Sequence, residues 1–140
     1  MIESSNVNHP KHYTQGGTEV IDVIEYLTSK YPPSIRYSLG NVIKYVCRAP
    51  YKGKEEEDLN KGHWYLNRSQ KDITASVSKT TCSIPTFDME AFIQDTAKGY
   101  REEQQPFFKS IMYMLDDTEG TPVFRILKLV ERDLKALKIA

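Results

Sequence analysis

Apolar residues recur along this chain at separations of three and four rather than two, which is the pattern of amphipathic helices. Val20, Ile21, Val23, Ile24 and Leu27 keep that spacing, with Glu19, Asp22 and Tyr26 on the other side, and predict a first helix over Glu19–Ser29 capped by Thr18. Before it, His9–Gly17 reads as a loop, and after it Tyr31-Pro32-Pro33 is a stop. Ser34 caps a predicted second helix, Ile35–Arg48, with Ile35, Leu39, Val42, Ile43 and Val46 as its core stripe. Ala49–Pro50 ends it, because proline disfavours a helical conformation in the residue before it. A basic turn, Tyr51–Lys54, leads into a third helix over Glu55–Asp72, whose four opening acids suit the positive end of the helix dipole. Thr74–Ser83 holds six Ser/Thr in ten residues and reads as a linker or long surface loop. Helical spacing resumes in Asp88–Tyr100 and Phe107–Leu115, and Thr121–Pro122 signals a last helix, Pro122–Lys138. No strand alternation and no repeat is evident. The expected fold is all-α: a small helical domain over 1–73, a linker over 74–83 and a C-terminal helical extension over 84–140.

Composition narrows the function classes. The 140 residues carry 19 basic and 19 acidic side chains, so the net charge is zero. A general nucleic-acid binder needs a basic surplus to displace counterions from phosphates, and direct nucleic-acid binding is not expected. No apolar run approaches the roughly 20 residues that span a bilayer, so no membrane association is expected. Nothing at the start resembles a signal peptide, and the expected location is the cytoplasm. Cys47 and Cys82 are too few for a disulfide framework or a zinc site of their own. One distribution is uneven. All three histidines, the one tryptophan and seven of the nine tyrosines lie within the first 65 residues, whereas the five phenylalanines lie between Phe87 and Phe124. Either this is chance in a small sample, or polar-handled aromatics mark a ligand-handling front half and plain hydrophobes a packed back half.

The second predicted helix has a polar stripe that its core does not explain. Tyr37, Asn41, Lys44, Tyr45 and Arg48 lie three and four apart and share one face. Two cations, an amide and two phenols suit an anionic ligand that carries a ring: Lys and Arg neutralise phosphate oxygens, and a tyrosine stacks on a base for roughly 1–3 kcal/mol. The alternative is a solvated face of snorkelling side chains. Lys52 and Lys54 prolong the positive strip, and Asp58, Lys61 and Tyr65 share a face of the third helix. Trp64 projects away from the Leu59/Leu66 stripe and is expected to be covered by the second half of the chain or buried between subunits. His12 and Tyr13 lie in the loop ahead of the first helix, where a histidine can donate to phosphate, act as a base or simply bond the loop. Glu19 and Asp22, three apart, are an alternative magnesium site together with an acid such as Asp58 or Glu57, though solvated carboxylates are the commoner case. The sequence has no P-loop, no Gly-x-Gly-x-x-Gly, no paired-Cys motif and no nucleophile elbow.

The order His12–Tyr13, Glu19-Val-Ile-Asp-Val-Ile24, Gly40–Asn41, Lys44–Tyr45, Arg48–Ala49, Lys52, Asp58–Leu59, Lys61 and Trp64–Tyr65 resembles a small phage domain family. That family is largely of unknown function and includes a phage nucleotide kinase without a Walker motif. The resemblance spans His9–Arg68 and rests chiefly on Gly-Asn-x-x-Lys-Tyr-x-x-Arg-Ala followed by Asp-Leu-x-Lys. It implies a phage-encoded protein of the host cytoplasm and a homo-oligomer. The activity it implies is phosphoryl transfer to deoxynucleoside monophosphates such as dTMP and dGMP, with a nucleoside triphosphate as donor. Two departures stand out. The kinase carries this domain at its C-terminal end, whereas here it comes first, and the usual Lys-Ala of the third helix is Lys61–Gly62.

On this reading the site lies between the second and third helices. Arg48, Lys44 and Lys52 would cradle phosphates, Asn41 and Tyr45 orient base or sugar, and Asp58 hold Lys44 or Arg48. Tyr13, Lys61 and Tyr65 would complete the substrate contacts, and His12 would donate to a phosphate. Arg48→Ala is expected to abolish most turnover without unfolding the chain. Two rivals are a magnesium-dependent nucleotide pyrophosphatase using Glu19, Asp22 and Asp58, and a protein that binds or sequesters a nucleotide, including a host-defence signalling nucleotide, without catalysis.

Overall fold

The computed structural model describes residues 14–15, 17–70, 85–116 and 119–140. His12, Tyr13, Cys82 and the predicted linker 74–83 lie outside them. The described chain is all-α, with six helices and one two-stranded hairpin of two residues each. Strands β1 (Thr14–Gln15) and β2 (Thr18–Glu19) pair antiparallel, with Gly17 at φ 83° in the turn between them. This hairpin is absent from the sequence reading. Four residues are too few to show an alternation, and the Gly-Gly dipeptide identified only a loop.

The helices are α1 (Val20–Thr28), α2 (Pro33–Arg48), α3 (Glu55–Ser69), α4 (Met89–Ala97), α5 (Gln105–Asp116) and α6 (Val123–Ile139), with a short 3-10 turn at Ala49–Tyr51. Their apolar stripes are those the spacing predicts, and α2 ends at Arg48 and α3 begins at Glu55 as expected, but other ends differ. Thr18 is not a cap, since Glu19 precedes α1 in extended conformation. Ser34 is not a cap either: α2 begins at Pro33, whose missing N–H and fixed φ suit a first helical position. Pro122 stands just before α6 rather than inside it, and Tyr100 lies beyond the end of α4.

Helices α2 and α3 form an antiparallel pair, since Tyr37 near the start of α2 meets Tyr65 late in α3 while Arg48 at its end meets Asp58. α1 lies against α2 at close range, because a Cβ on Gly40 would stand 3.1 Å from Ile24 Cγ2. α5 and α6 form a second pair, and α6 lies across α3. One continuous apolar core joins the pairs, with Val23, Leu39, Ile43 and Leu66 from the front and Phe92, Phe108, Ile126 and Leu134 from the back. Polar bonds fasten the same seam. Tyr31 donates to the Leu115 carbonyl at 2.9 Å, and the buried Lys30 ammonium meets the Asp116 carboxylate at 2.6 Å and also its backbone carbonyl. A cation at the carbonyl end of α5 is favourably placed on the helix dipole. Among the described residues no helix is long and apolar enough to cross a membrane.

Candidate functional site

The α2–α3 pair brings most of the polar stripe together. At one end, Asp58 is almost fully buried, 1 % exposed, and faces the guanidinium of Arg48. Arg48 donates through Nε to Oδ2 and through Nη2 to Oδ1, each at 3.3 Å, in a forked pair. Asp58 thus holds Arg48, one of the two partners expected for it. The first turns of α3 carry Glu55, Glu56, Glu57 and Asp58, where unpaired backbone N–H groups favour negative charge.

Tyr45, three residues before Arg48, is the hub of the face. Its ring stacks on that of Tyr65 with centroids 6.0 Å apart and planes 17° from parallel. Three cations surround it: Arg48 at 4.9 Å, Lys44 at 5.1 Å and Lys61 at 5.8 Å from the ring centroid. Tyr37 and Trp64 stand edge-on to Tyr65 at 6.2 and 5.0 Å. Loss of hydration holds the Tyr65 hydroxyl above its usual range, and the neighbouring Tyr37 and Tyr45 act in the same direction. At neutral pH it therefore remains a hydrogen-bond donor. Asn41 donates through Nδ2 to the Tyr37 carbonyl at 2.9 Å, so its amide is turned onto its own helix.

Other expected members fall elsewhere. Lys52 is exposed on the turn beyond the 3-10 segment, and His12 and Tyr13 lie outside the described residues. Glu19 is on β2, Asp22 is exposed on α1 and Asp58 is buried against Arg48. Among the described residues no three His, Cys, Asp or Glu are grouped to hold a metal ion.

Of the two covers expected for Trp64, the structure removes the one within the chain. The C-terminal half does not cover it within the chain; it is 60 % exposed, and Tyr37 is 77 % exposed. Trp64 lines an open cleft of about 860 Å³ with Gly53, Lys54, Asn60, Lys61 and the three glutamates that open α3. Lys61 and Trp64 therefore border both the cleft and the Tyr45 face. Their spacing of three from each other, and of four from Glu57 to Lys61, was the available signal.

Arg48 also has a structural role. Removing it would leave the Asp58 carboxylate buried without its partner, at a cost of about 3–5 kcal/mol. Arg48→Ala is therefore a destabilising change and not the clean probe of turnover that the sequence suggested.

Residues 7–67 match the family described as a protein of unknown function, DUF3310, and carry that domain. The match takes in α1, α2 and most of α3, with every residue of the Tyr45 face, and stops before α4. No curated protein and no solved structure matches the chain.

Proposed function

We propose that the Tyr45 face binds a nucleotide and that the chain transfers a phosphoryl group from a nucleoside triphosphate to a deoxynucleoside monophosphate. The observation that carries the binding reading is the Tyr45 ring with Lys44, Arg48 and Lys61 all within 5.8 Å of its centroid, beside the exposed rings of Tyr37 and Trp64. Three like charges around one ring repel each other, and Asp58 offsets only one of them deep in the structure. Glu57 lies 4.0 Å from Lys61, but both are exposed and the pair is worth little. A phosphate supplies the missing negative charge, and an attached base finds aromatic surface on the same side. Exposed rings grouped this way are a common mark of a ligand surface.

Phosphoryl transfer asks mainly for positioning and charge stabilisation. A phosphate oxygen of the acceptor bonds to the terminal phosphorus of the donor as the bridging P–O bond breaks and the diphosphate leaves. Lys44 and Lys61 would hold the phosphates, Arg48 would add fixed positive charge at the edge of Tyr45, and Tyr65 would donate a hydrogen bond. Magnesium would arrive on the triphosphate, since the described carboxylates do not gather to hold it. What favours transfer over binding alone is the resemblance to a phage domain family that includes a Walker-less nucleotide kinase. A second reading, binding without turnover, is favoured by the Arg48–Asp58 pair: a guanidinium committed to a carboxylate has less charge to offer a transferred phosphoryl group.

Incubation of the chain with dTMP or dGMP and ATP, with and without EDTA, followed by product separation, tests both readings. The expected products are the deoxynucleoside diphosphate and ADP. Lys44→Ala and Lys61→Ala, at positions on the surface of the face, are each expected to lower turnover by roughly tenfold or more with little change in thermal stability. Tight binding with no product would select sequestration, and neither binding nor product would reject the nucleotide site.

A further inference from the structure

The end of α2 leaves one carbonyl without its helical donor. The Val46 oxygen would accept from the N–H of residue 50, which is proline and has none. Val46 is fully buried, so water does not replace it. Tyr100, just past the end of α4, donates its hydroxyl to that oxygen at 2.6 Å. The service is returned. Tyr51, in the turn after α2, donates to the carbonyls of Thr96 at 2.9 Å and Asp95 at 3.3 Å at the end of α4. Each helix end is closed by the tyrosine that follows the other helix. Gly99 permits the exchange, since a Cβ there would lie 2.5 Å from Tyr51 Cζ.

The same segment reaches the start of α3. Gln104 Nε2 donates to Glu55 Oε2 at 2.9 Å and to the Leu137 carbonyl at 3.3 Å, while Arg101 Nη1 lies 3.9 Å from Glu55. Residues 95–104 thus grip both the last turn of α2 and the first turn of α3, the turns that carry Arg48 and Asp58. Burial first, then Cys47 and the Glu55 and Asp58 carboxylates, hold the Tyr100 hydroxyl well above its usual range, so it stays a donor.

We infer that Tyr100 is a positioning residue for the ligand face: by closing the α2 terminus from the C-terminal segment it fixes the corner in which Asp58 holds Arg48 against Tyr45. This gives the C-terminal half, which the family match does not include, a part in the site without any of its residues touching the ligand. Only the binding arm of the test rests on the nucleotide reading. Tyr31 is the control, because it caps Leu115 with the same chemistry at the opposite end of α2.

The experiment compares the full chain with Tyr100→Phe, Tyr31→Phe and Asp58→Asn, and with each tyrosine variant combined with Asp58→Asn. In urea unfolding, the midpoint shift of Tyr100→Phe with Asp58→Asn should fall short of the sum of the single shifts, whereas Tyr31→Phe with Asp58→Asn should be additive. Additivity in both pairs overturns the inference. By calorimetric titration with dTMP, Tyr100→Phe should weaken binding roughly threefold or more while Tyr31→Phe leaves it unchanged. Equal weakening by both tyrosine variants would show a merely structural role and also overturn it. If the unmodified chain takes up no dTMP, the nucleotide reading fails, and the unfolding comparison still decides the inference.

Discussion

Tyrosine is the residue whose meaning changed most between sequence and structure. The crowding of tyrosines in the front half suggests ligand handling, and for Tyr37, Tyr45 and Tyr65 the structure does place the rings on one polar face. Tyr31 and Tyr51 have another role, since their hydroxyls close helix ends across the seam. The residue type is the same in both cases and spacing does not separate them. The readable clue was position, because each capping tyrosine directly follows a helix terminus. Asp58 was legible as a partner for Lys44 or Arg48, though not which of the two, and the exposure of Trp64 depended on where α4–α6 pack. Gly62, where the resembling family usually has alanine, allows a test at this scale. A Cβ there would meet Tyr45 Cβ at 3.5 Å, an ordinary contact. Gly62→Ala is thus expected to stabilise the chain by about 0.5–1 kcal/mol, through helix propensity and reduced freedom of the unfolded chain. A higher urea midpoint would agree, and a lower one would mean that the α2–α3 approach is tighter than described.

Among the elements, the helices were legible and several of their ends were not. Periodicity reports which face is buried over many residues, but an end is decided by one or two local bonds, as at Pro33 and Pro122. The contacts between α3 and α6 were likewise invisible, because charged residues far apart in sequence carry no mark of pairing. His63 lies 3.5 Å from Glu131 on α6 and accepts from Lys138 through Nδ1 at 3.2 Å. Although burial pushes the Glu131 carboxyl up, the His63 hydrogen bond and Lys135 and Lys128 outweigh it and hold it below the usual 4.5. A carboxyl depressed in the folded state binds its proton more readily when unfolded. Its stabilising effect is therefore present above 4.5 and is lost as the pH falls through the lower folded value. The urea midpoint of the unmodified chain should exceed that of Glu131→Gln at pH 6, with the difference shrinking below pH 4.5. A difference that is constant or grows on acidification would show that Glu131 is not held this way.

The whole molecule reconciles a net charge of zero with a locally positive site. Lys44, Arg48 and Lys61 gather around Tyr45, while acids at the start of α3 and on the C-terminal helices lie away from that ring, among them Glu55 and Glu131, which hold the two halves together. The C-terminal segment neither covers Trp64 nor stands apart from the front half; it shares one core with it and closes the α2 terminus. The site is therefore an open face on a braced helical pair. Its central claim is that a nucleotide binds there, and Trp64, the one tryptophan of the chain and 5.0 Å from Tyr65, reports on it directly. Titration of the full chain with dTMP, followed by tryptophan emission, should give a saturable change whose apparent affinity falls as salt rises and drops roughly tenfold or more in Lys44→Ala/Lys61→Ala. Emission that does not respond to dTMP up to millimolar concentration, or responds equally in the double variant, would contradict the account.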